Sequence, residues 1–375
     1  MISYWEQKNF LNHDLIIVGS GFTGLSTAIN FKKKNPKAKV LVLEKEIFPT
    51  GASTKNAGFA CFGSLTELLD DMQTLSEEEV LGLVKRRYRG LEEIRKVFGD
   101  KTLEYKGNHG FEILDEKSEE ALKDLEKVNR LLKNVFKKDV FSQVKRTKKL
   151  GFSSSVKAVV ENRFEGELDP GKYLGALWKM ASEMGVKILT GVAVIEVQKD
   201  TGLILAENLD RTRIFEFQAQ KVGICTNAFT KKLWAESEIN PGRGLILLSQ
   251  PIEGKIPWKG AYHMDRGYVY FRQIDGRLLL GGARNMDFEG ETSTEFKVNP
   301  KIKNHLDTLA KTVILPGKSI SWEMEWTGIM AFGSKKTPLI QKVGDRLGAA
   351  VRLGGMGVAI GWQVGKELSE LLSDR

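Results

Sequence analysis

The chain has 375 residues, 41% hydrophobic and 28% charged, with a formal net charge of +9; that is enough for one large core or two adjoining ones. The basic excess between Lys85 and Lys149 is broken by acids such as Glu92, Glu93, Glu119 and Glu120, a mixture that reads as solvated helix faces rather than a nucleic-acid surface. Two cysteines, four histidines without metal spacing and no apolar run near the ~18 residues of a membrane span exclude a disulfide scaffold, a metal module and membrane insertion, leaving a cytoplasmic enzyme as the expectation.

The opening MISYWEQKNFLNHD lacks the charged-then-apolar pattern of a signal peptide. Leu15 to Val18 is a short apolar run of the kind that forms a strand buried on both faces. Gly19, Gly21 and Gly24 follow, and then a helical pattern through Leu25, Ala28, Ile29 and Phe31 that Asn35-Pro36 ends. KVLVLEKE supplies a second buried strand ending at Glu44. Ser76 and Glu79 form a capping box before a helix with Val80, Leu83, Leu91 and Ile94 on one face, stopped by Gly99. GFEIL precedes a second amphipathic helix marked by Leu122, Leu125, Val128, Leu132 and Val135. SSSVKAVV reads as a strand, and DPGKYLGALWKMASEMGVKIL as a helix with Pro at its start, then a strand. VAVIEV, GLILAEN, IFEFQA and KVGICTNA read as four strands. From Gly242 to about Trp322 the pattern is strand-rich, and the last fifty residues return to strand, Gly-rich turn and helix. This order predicts one discontinuous α/β domain with a second domain inserted in it.

Gly19-Ser20-Gly21-Phe22-Thr23-Gly24 fits G-x-G-x-x-G between a strand and a helix. The first glycine allows the tight turn, the second lets backbone approach a pyrophosphate, and the third lets helix pack on strand. The helix N-terminus then offers amide groups and the positive end of its dipole to phosphates. Glu44 lies twenty residues after Gly24, where a carboxylate can accept from an adenosine ribose. The fingerprint alone leaves NAD and FAD open. In place of a third strand comes GASTKNAGFACFGS, residues 51 to 64, rich in small side chains, and a second Gly-rich turn, RLGGMGVAIG, opens a helix near Gly357. Small residues beside a flat ring, and a helix dipole near its pyrimidine end, favour FAD.

These segments together resemble the D-amino-acid oxidase superfamily of FAD-dependent oxidoreductases, the group with glycine oxidase, sarcosine oxidase and γ-glutamylputrescine oxidase. The resemblance runs through SYWE, IIVGSGFTGLSTA, LEKE, GASTKNAGF, ELDPGKYLGALWKMASEMGVKI, KVGICTNA, YFRQIDGRLLLGG and GGMGVAIG. It implies a Rossmann-type FAD-binding domain from residues 1–84, 151–236 and 323–375. An α+β substrate domain on a mostly antiparallel sheet would take residues 85–150 and 237–322. It further implies that Phe22, Thr23, Glu44 and Lys45 meet the ADP half of FAD, and Ala52 and Ser53 its pyrophosphate. Ala57, Gly58 and Phe59 would meet the flavin ring, Val192 the adenine, and Gly354, Gly355, Met356, Gly357, Val358 and Ala359 the pyrimidine edge. Lys55, Asn56 and Thr226 complete the expected cofactor set.

The departures are informative. Where several family oxidases carry Arg-Pro after a Trp-x-Gly element, this chain has Met330-Ala331, so a bidentate carboxylate anchor is missing there. The position of the covalent-flavin cysteine falls near Phe332, which implies FAD held non-covalently. Leucines in RLLLGG replace the lysine associated with oxygen reactivity, leaving oxygen or another electron acceptor open. Tyr270 and Arg272, on the YVYFR strand, and Met330 are the candidate substrate residues. The implied chemistry is oxidation of the C–N bond of a small amine or amino-acid-like substrate. Two alternatives stay open: action on a modified tRNA base, and an NAD-dependent dehydrogenase.

Overall fold

The strand expected at Leu15–Val18 runs from Asn12 to Val18 in the computed structural model, which describes residues 1–373; the last two residues of the expected 323–375 segment lie outside the described residues. Its four apolar residues are buried because parallel strands flank it on both edges: Val40–Leu43 on one and the second half of Ile214–Ile224 on the other. Lys187–Leu189 extends this parallel sheet beyond Val40–Leu43, and Leu347–Val351 pairs in parallel with the end of Ile214–Ile224. The runs IFEFQA and KVGICTNA thus form one strand, Ile214–Ile224, rather than two. Its first half pairs antiparallel with Leu203–Asn208 and its second joins the parallel sheet.

The chain divides into two compact units. The first comprises Met1–Lys55, Pro170–Pro241 and the chain from Ile329 onward; the second comprises Asn56–Asp169 and Gly242–Gly328. These limits differ from the expected domains: residues 56–84 and 151–169 pack with the second unit, as do 323–328, and residues 237–241 pack with the first. The physical reason is pairing. Phe59–Ala60 bonds antiparallel to Gly166–Glu167, and Ala158–Asn162 bonds to Gly110–Leu114, so both stretches are tied into the second unit's sheets.

In the first unit, the fingerprint helix Phe22–Lys34 packs on the C-terminal helix Gly357–Ser373. Close approach depends on two glycines: a Cβ at Gly365 would lie 2.5 Å from the Ser26 Cβ, and one at Gly361 would lie 3.0 Å from the Phe22 Cβ. The second unit is built on an eight-stranded mixed sheet, mostly antiparallel. One face buries Phe271, Leu278, Leu280, Leu247 and Tyr262 against a helix, Pro300–Leu309. That helix falls within the stretch expected to be strand-rich. Its signals are Asn299, whose side chain accepts from the Lys301 amide at 3.0 Å, Pro300 in the first turn, and Ile302 and Leu306 four apart on the buried face.

Candidate active site

The fingerprint turn owes its shape to space that only glycine leaves. Gly19 has φ +102° and a Cβ there would sit 2.9 Å from the Cys225 carbonyl oxygen. At Gly24 a Cβ would overlap the carbonyl oxygen of Gly19, which is the close helix–strand packing expected of the third glycine. Gly21 caps the helix with no side-chain bond of its own. The Ser53 hydroxyl oxygen instead accepts the Phe22 amide at 3.0 Å and would lie 2.9 Å from a Cβ at Gly21. Ser53, Ala52 and Lys55, on the short helix Ala52–Lys55, are therefore brought to the fingerprint turn from thirty residues away. Thr226, which follows Cys225 beside Gly19, bonds Thr230 at 2.9 Å.

Glu44 ends the second strand, buried and already oriented. One of its oxygens accepts the Ser20 amide at 3.0 Å and the Ser20 hydroxyl at 2.7 Å; the other accepts the Glu46 amide at 3.2 Å. Ser20, the variable position inside the fingerprint, is thus the residue that aims Glu44, and only its place in G-x-G-x-x-G hinted at this. Val192 donates its amide to the Glu44 backbone carbonyl at 2.9 Å, which ties it to the end of the second strand. Lys45 is half-exposed, over the Phe229 ring at 4.7 Å and 3.3 Å from a Glu46 oxygen. A Gly-shaped turn, a helix start whose N-cap is a glycine and a fixed acid on the next strand fit a dinucleotide, so the residues present suit the ADP half of FAD.

Late in the chain, Gly354 and Gly355 have φ +58° and +82°, a double left-handed turn leading into the helix at Gly357. Met330 and Ala331 are brought against it. The Gly354 amide donates to the Ala331 carbonyl at 3.1 Å, and a Cβ at Gly355 would lie 3.5 Å from the Met330 sulfur. Met356 joins this turn, and Val358 and Ala359 are buried in the first turn of the helix. Just before it, buried Arg352 (φ +64°) donates from its guanidinium to the Glu238 side chain at 3.3 Å and from its amide to the Asn227 side-chain oxygen at 3.2 Å. Neither Arg352 nor Asn227 stood out in the sequence.

The second unit holds the stretch expected against a flavin ring. Asn56 accepts the Gly58 amide on its side chain at 2.9 Å, turning the chain at Gly58, where φ is +74°. The Gly58 carbonyl accepts from the Leu168 amide at 2.8 Å and from Arg272 at 3.3 Å. Arg272 also donates to the Leu168 carbonyl at 3.0 Å and is 7% exposed. Its burial holds the guanidinium pKa below the ordinary arginine value, against the pull of Glu167, Asp169 and Asp275.

Tyr270 and Arg272 lie two apart on one strand and so share a face. The Tyr270 ring lies across Gly281 and Gly282 of the neighbouring strand, where a Cβ would come within 2.6 Å and 3.1 Å of it. Phe59 meets Tyr270 edge-on at 5.5 Å, and Ala57, Ile246, Leu248 and Trp326 complete an apolar cluster on that face. Burial pushes the Tyr270 phenol up to about 12, so it is a neutral hydroxyl at physiological pH. Cys61, two residues beyond Phe59, is buried, and its thiol is pushed well up by burial and by the neighbouring acids Glu165 and Glu67. That makes it a packing group rather than a nucleophile.

The family model for FAD dependent oxidoreductases matches residues 14–371. The chain belongs to this family, DAO. A curated relative, a probable oxidoreductase (OrdL) of Haemophilus influenzae, is 22% identical over 374 residues, covering 96% of this chain and 82% of that protein. The fold is shared with glycine oxidase from Geobacillus kaustophilus, with a TM-score of 0.75, 18% identity, and 96% and 95% of the two chains covered. It is shared equally with L-proline dehydrogenase from P. horikoshii, with a TM-score of 0.72, 18% identity, and 97% and 94% covered. A glycine oxidase and an L-proline dehydrogenase therefore lie at similar structural distance from this chain, which is an FAD-dependent oxidoreductase. Among the described residues no helix is long and apolar enough to cross a membrane.

Proposed function

We propose that the protein binds FAD non-covalently and oxidises the C–N bond of a small amine or amino-acid-like substrate. The observation that carries this reading is the fixed cradle of Gly19, Gly21, Gly24, Ser53 and Glu44, in a chain whose family is FAD-dependent. When bound, FAD supplies the hydride acceptor, and the imine product is hydrolysed by water, with oxygen or another acceptor restoring the cofactor. The chain's own part is binding and orientation. The N-terminus of Phe22–Lys34 and Ser53 hold the pyrophosphate, and Glu44, aimed by Ser20, holds the ribose.

On the substrate side, Tyr270 presents a neutral hydroxyl from an apolar face, suited to orient a neutral amine beside hydrocarbon. Arg272 is spent on two backbone carbonyls, so we assign it to positioning the Gly58 segment rather than to a substrate carboxylate. With Met330-Ala331 in place of Arg-Pro, this favours substrates that do not depend on a bidentate carboxylate clamp. Glycine oxidase, iminodiacetate oxidase and L-proline dehydrogenase, all similar in fold, are named for amino-acid-like compounds, which supports the C–N class.

The test is to purify the protein, release its chromophore with acid, and titrate the loaded protein anaerobically with amines, N-alkyl amino acids and cyclic imino acids. Bleaching of the flavin by members of this panel is the expected result. A protein that takes up no FAD on reconstitution, or a flavin that no amine reduces, would overturn the reading.

A further inference from the structure

Next to the stretch that follows Gly58, the second unit buries a carboxylate and an imidazole that the proposed function does not use. Glu165 is 1% exposed. One of its oxygens accepts the amides of Phe62 at 2.6 Å and Gly63 at 2.8 Å, three and four residues beyond Phe59, the last position assigned to the flavin ring. Its other oxygen lies 3.9 Å from Nε2 of His263, about 1 Å beyond hydrogen-bond distance. His263 is buried, neither ring nitrogen has a partner, and its ring meets Phe59 edge-on at 5.1 Å. The acid can lie there because Gly110 has no side chain: a Cβ at that position would be 2.5 Å from the Glu165 Cβ. One nitrogen of a neutral imidazole is an acceptor in need of a donor; the Glu165 oxygen facing Nε2 can supply one only as the acid, and burying the neutral acid costs less than burying an unpaired carboxylate.

We infer that Glu165, as a neutral carboxylic acid with its proton turned toward His263, is a positioning residue that holds the flavin-facing segment 57–63 in place. The assignment of that segment to the flavin rests on the proposed function; the protonation of Glu165 does not. The groups around the pair agree with a neutral state. Any charge on Glu67 or Glu112 opposes ionisation of Glu165, and Arg87 is committed to the Phe62 carbonyl at 2.8 Å and to Glu67 at 3.5 Å. Half-buried Tyr105 and buried Cys61 are neutral groups pushed upward by burial, and His109 contributes its amide to the Glu165 carbonyl. Burial drives the Glu165 carboxyl up to about 8, outweighing the two amide bonds that pull it down, and holds His263 down at about 4.

Two measurements on the full chain separate the parts of this inference. The first is the thermal midpoint of wild type and Glu165→Gln between pH 5 and 8, without added flavin. An acid that keeps its proton in the folded state and loses it on unfolding weakens the fold as pH rises through that window. The wild-type midpoint is therefore expected to fall by at least about 2 °C relative to the isosteric amide; parallel curves would refute the neutral acid. The second is FAD affinity at pH 7 by fluorescence titration. Glu165→Ala is expected to bind about tenfold more weakly, the loss of two buried amide anchors, while Glu165→Gln stays within about twofold. Glu165→Met, which fills the volume without an acceptor, makes the same comparison if the alanine variant is insoluble. Wild-type affinity in the alanine or methionine variant would overturn the positioning role. Failure of wild type to bind FAD at all would instead count against the proposed function, and the midpoint comparison would stand.

Discussion

At Gly58 the backbone bends with φ +74°, and its carbonyl takes two bonds, from Leu168 and Arg272. A β-branched residue in that region of conformational space costs of order 1–3 kcal/mol, and its branches would also stand where the ring is expected. Gly58→Val is therefore expected to fold with a lowered midpoint and to lose bound FAD, read from the flavin absorbance of the purified protein; full occupancy would remove Gly58 from the flavin segment. Arg272→Met tests the other bond. If the guanidinium positions Gly58, the variant's FAD affinity falls about tenfold, the worth of bonds from a charged donor. If it anchors a substrate carboxylate, FAD affinity holds and KM for carboxylate-bearing substrates rises instead. The residues legible in the sequence at this scale were those whose job is local. Gly19, Gly21, Gly24 and Glu44 act through the turn they sit in and the strand end twenty residues on. Arg272, Glu165 and Ser20 do their work through partners with no fixed spacing, 214, 103 and 24 residues away.

Elements were legible where a cap or a period marked them. The Ser76–Glu79 box and Gly99 bound the helix Glu77–Phe98 as expected, with both box bonds formed and Gly99 at φ +81°. The helix Pro300–Leu309 was hidden because its buried face is only two residues, Ile302 and Leu306, inside a polar stretch. The second unit's limits were hidden for another reason: short strands such as Phe59–Ala60 carry no period, and their pairing decides where the chain belongs. Two helical glycines give a paired test of how elements pack. Gly365 lies where a Cβ would be 2.5 Å from the Ser26 Cβ and 2.7 Å from the Thr23 carbonyl oxygen, both in the fingerprint helix. Gly365→Ala is expected to cost about 1–3 kcal/mol through overpacking and to weaken FAD binding by shifting that helix. Gly82, in the helix Glu77–Phe98, has nothing within 4 Å of the same point, so Gly82→Ala is expected to stabilise by about 0.5–1 kcal/mol. Chemical denaturation of the two variants checks both signs; equal effects would mean that the glycine packing does not set the helix spacing.

Over the whole molecule, buried titratable groups set how stability changes with pH. Glu112 is held by Ser64 at 2.8 Å, by the Thr66 amide at 3.1 Å and by the Thr66 hydroxyl, yet burial still drives its carboxyl up to about 7. Glu165 rises to about 8 for the same leading reason. In both, the folded state binds a proton that an unfolded carboxyl releases near its ordinary value of 4.5. Stability is therefore greatest below that value on their account, and is lost as pH climbs to about 7 and about 8 respectively. His13 and His263 act in the opposite sense. Burial lowers both to about 4 from 6.5, so their contribution is complete above 6.5 and lost as pH falls toward 4. Between 4.5 and 6.5 the two pairs oppose each other, and above 6.5 only the acids change. The thermal midpoint is thus expected to decline from pH 6.5 to 8, with the steeper part below 7, where both acids contribute. Glu112→Gln should halve the slope below 7 and leave the part between 7 and 8, while Glu165→Gln should remove the latter and halve the former. Each variant erasing its own portion of one decline requires that both carboxyls be neutral in the fold. A midpoint flat from 6.5 to 8 in wild type would mean that the second unit carries these carboxylates charged.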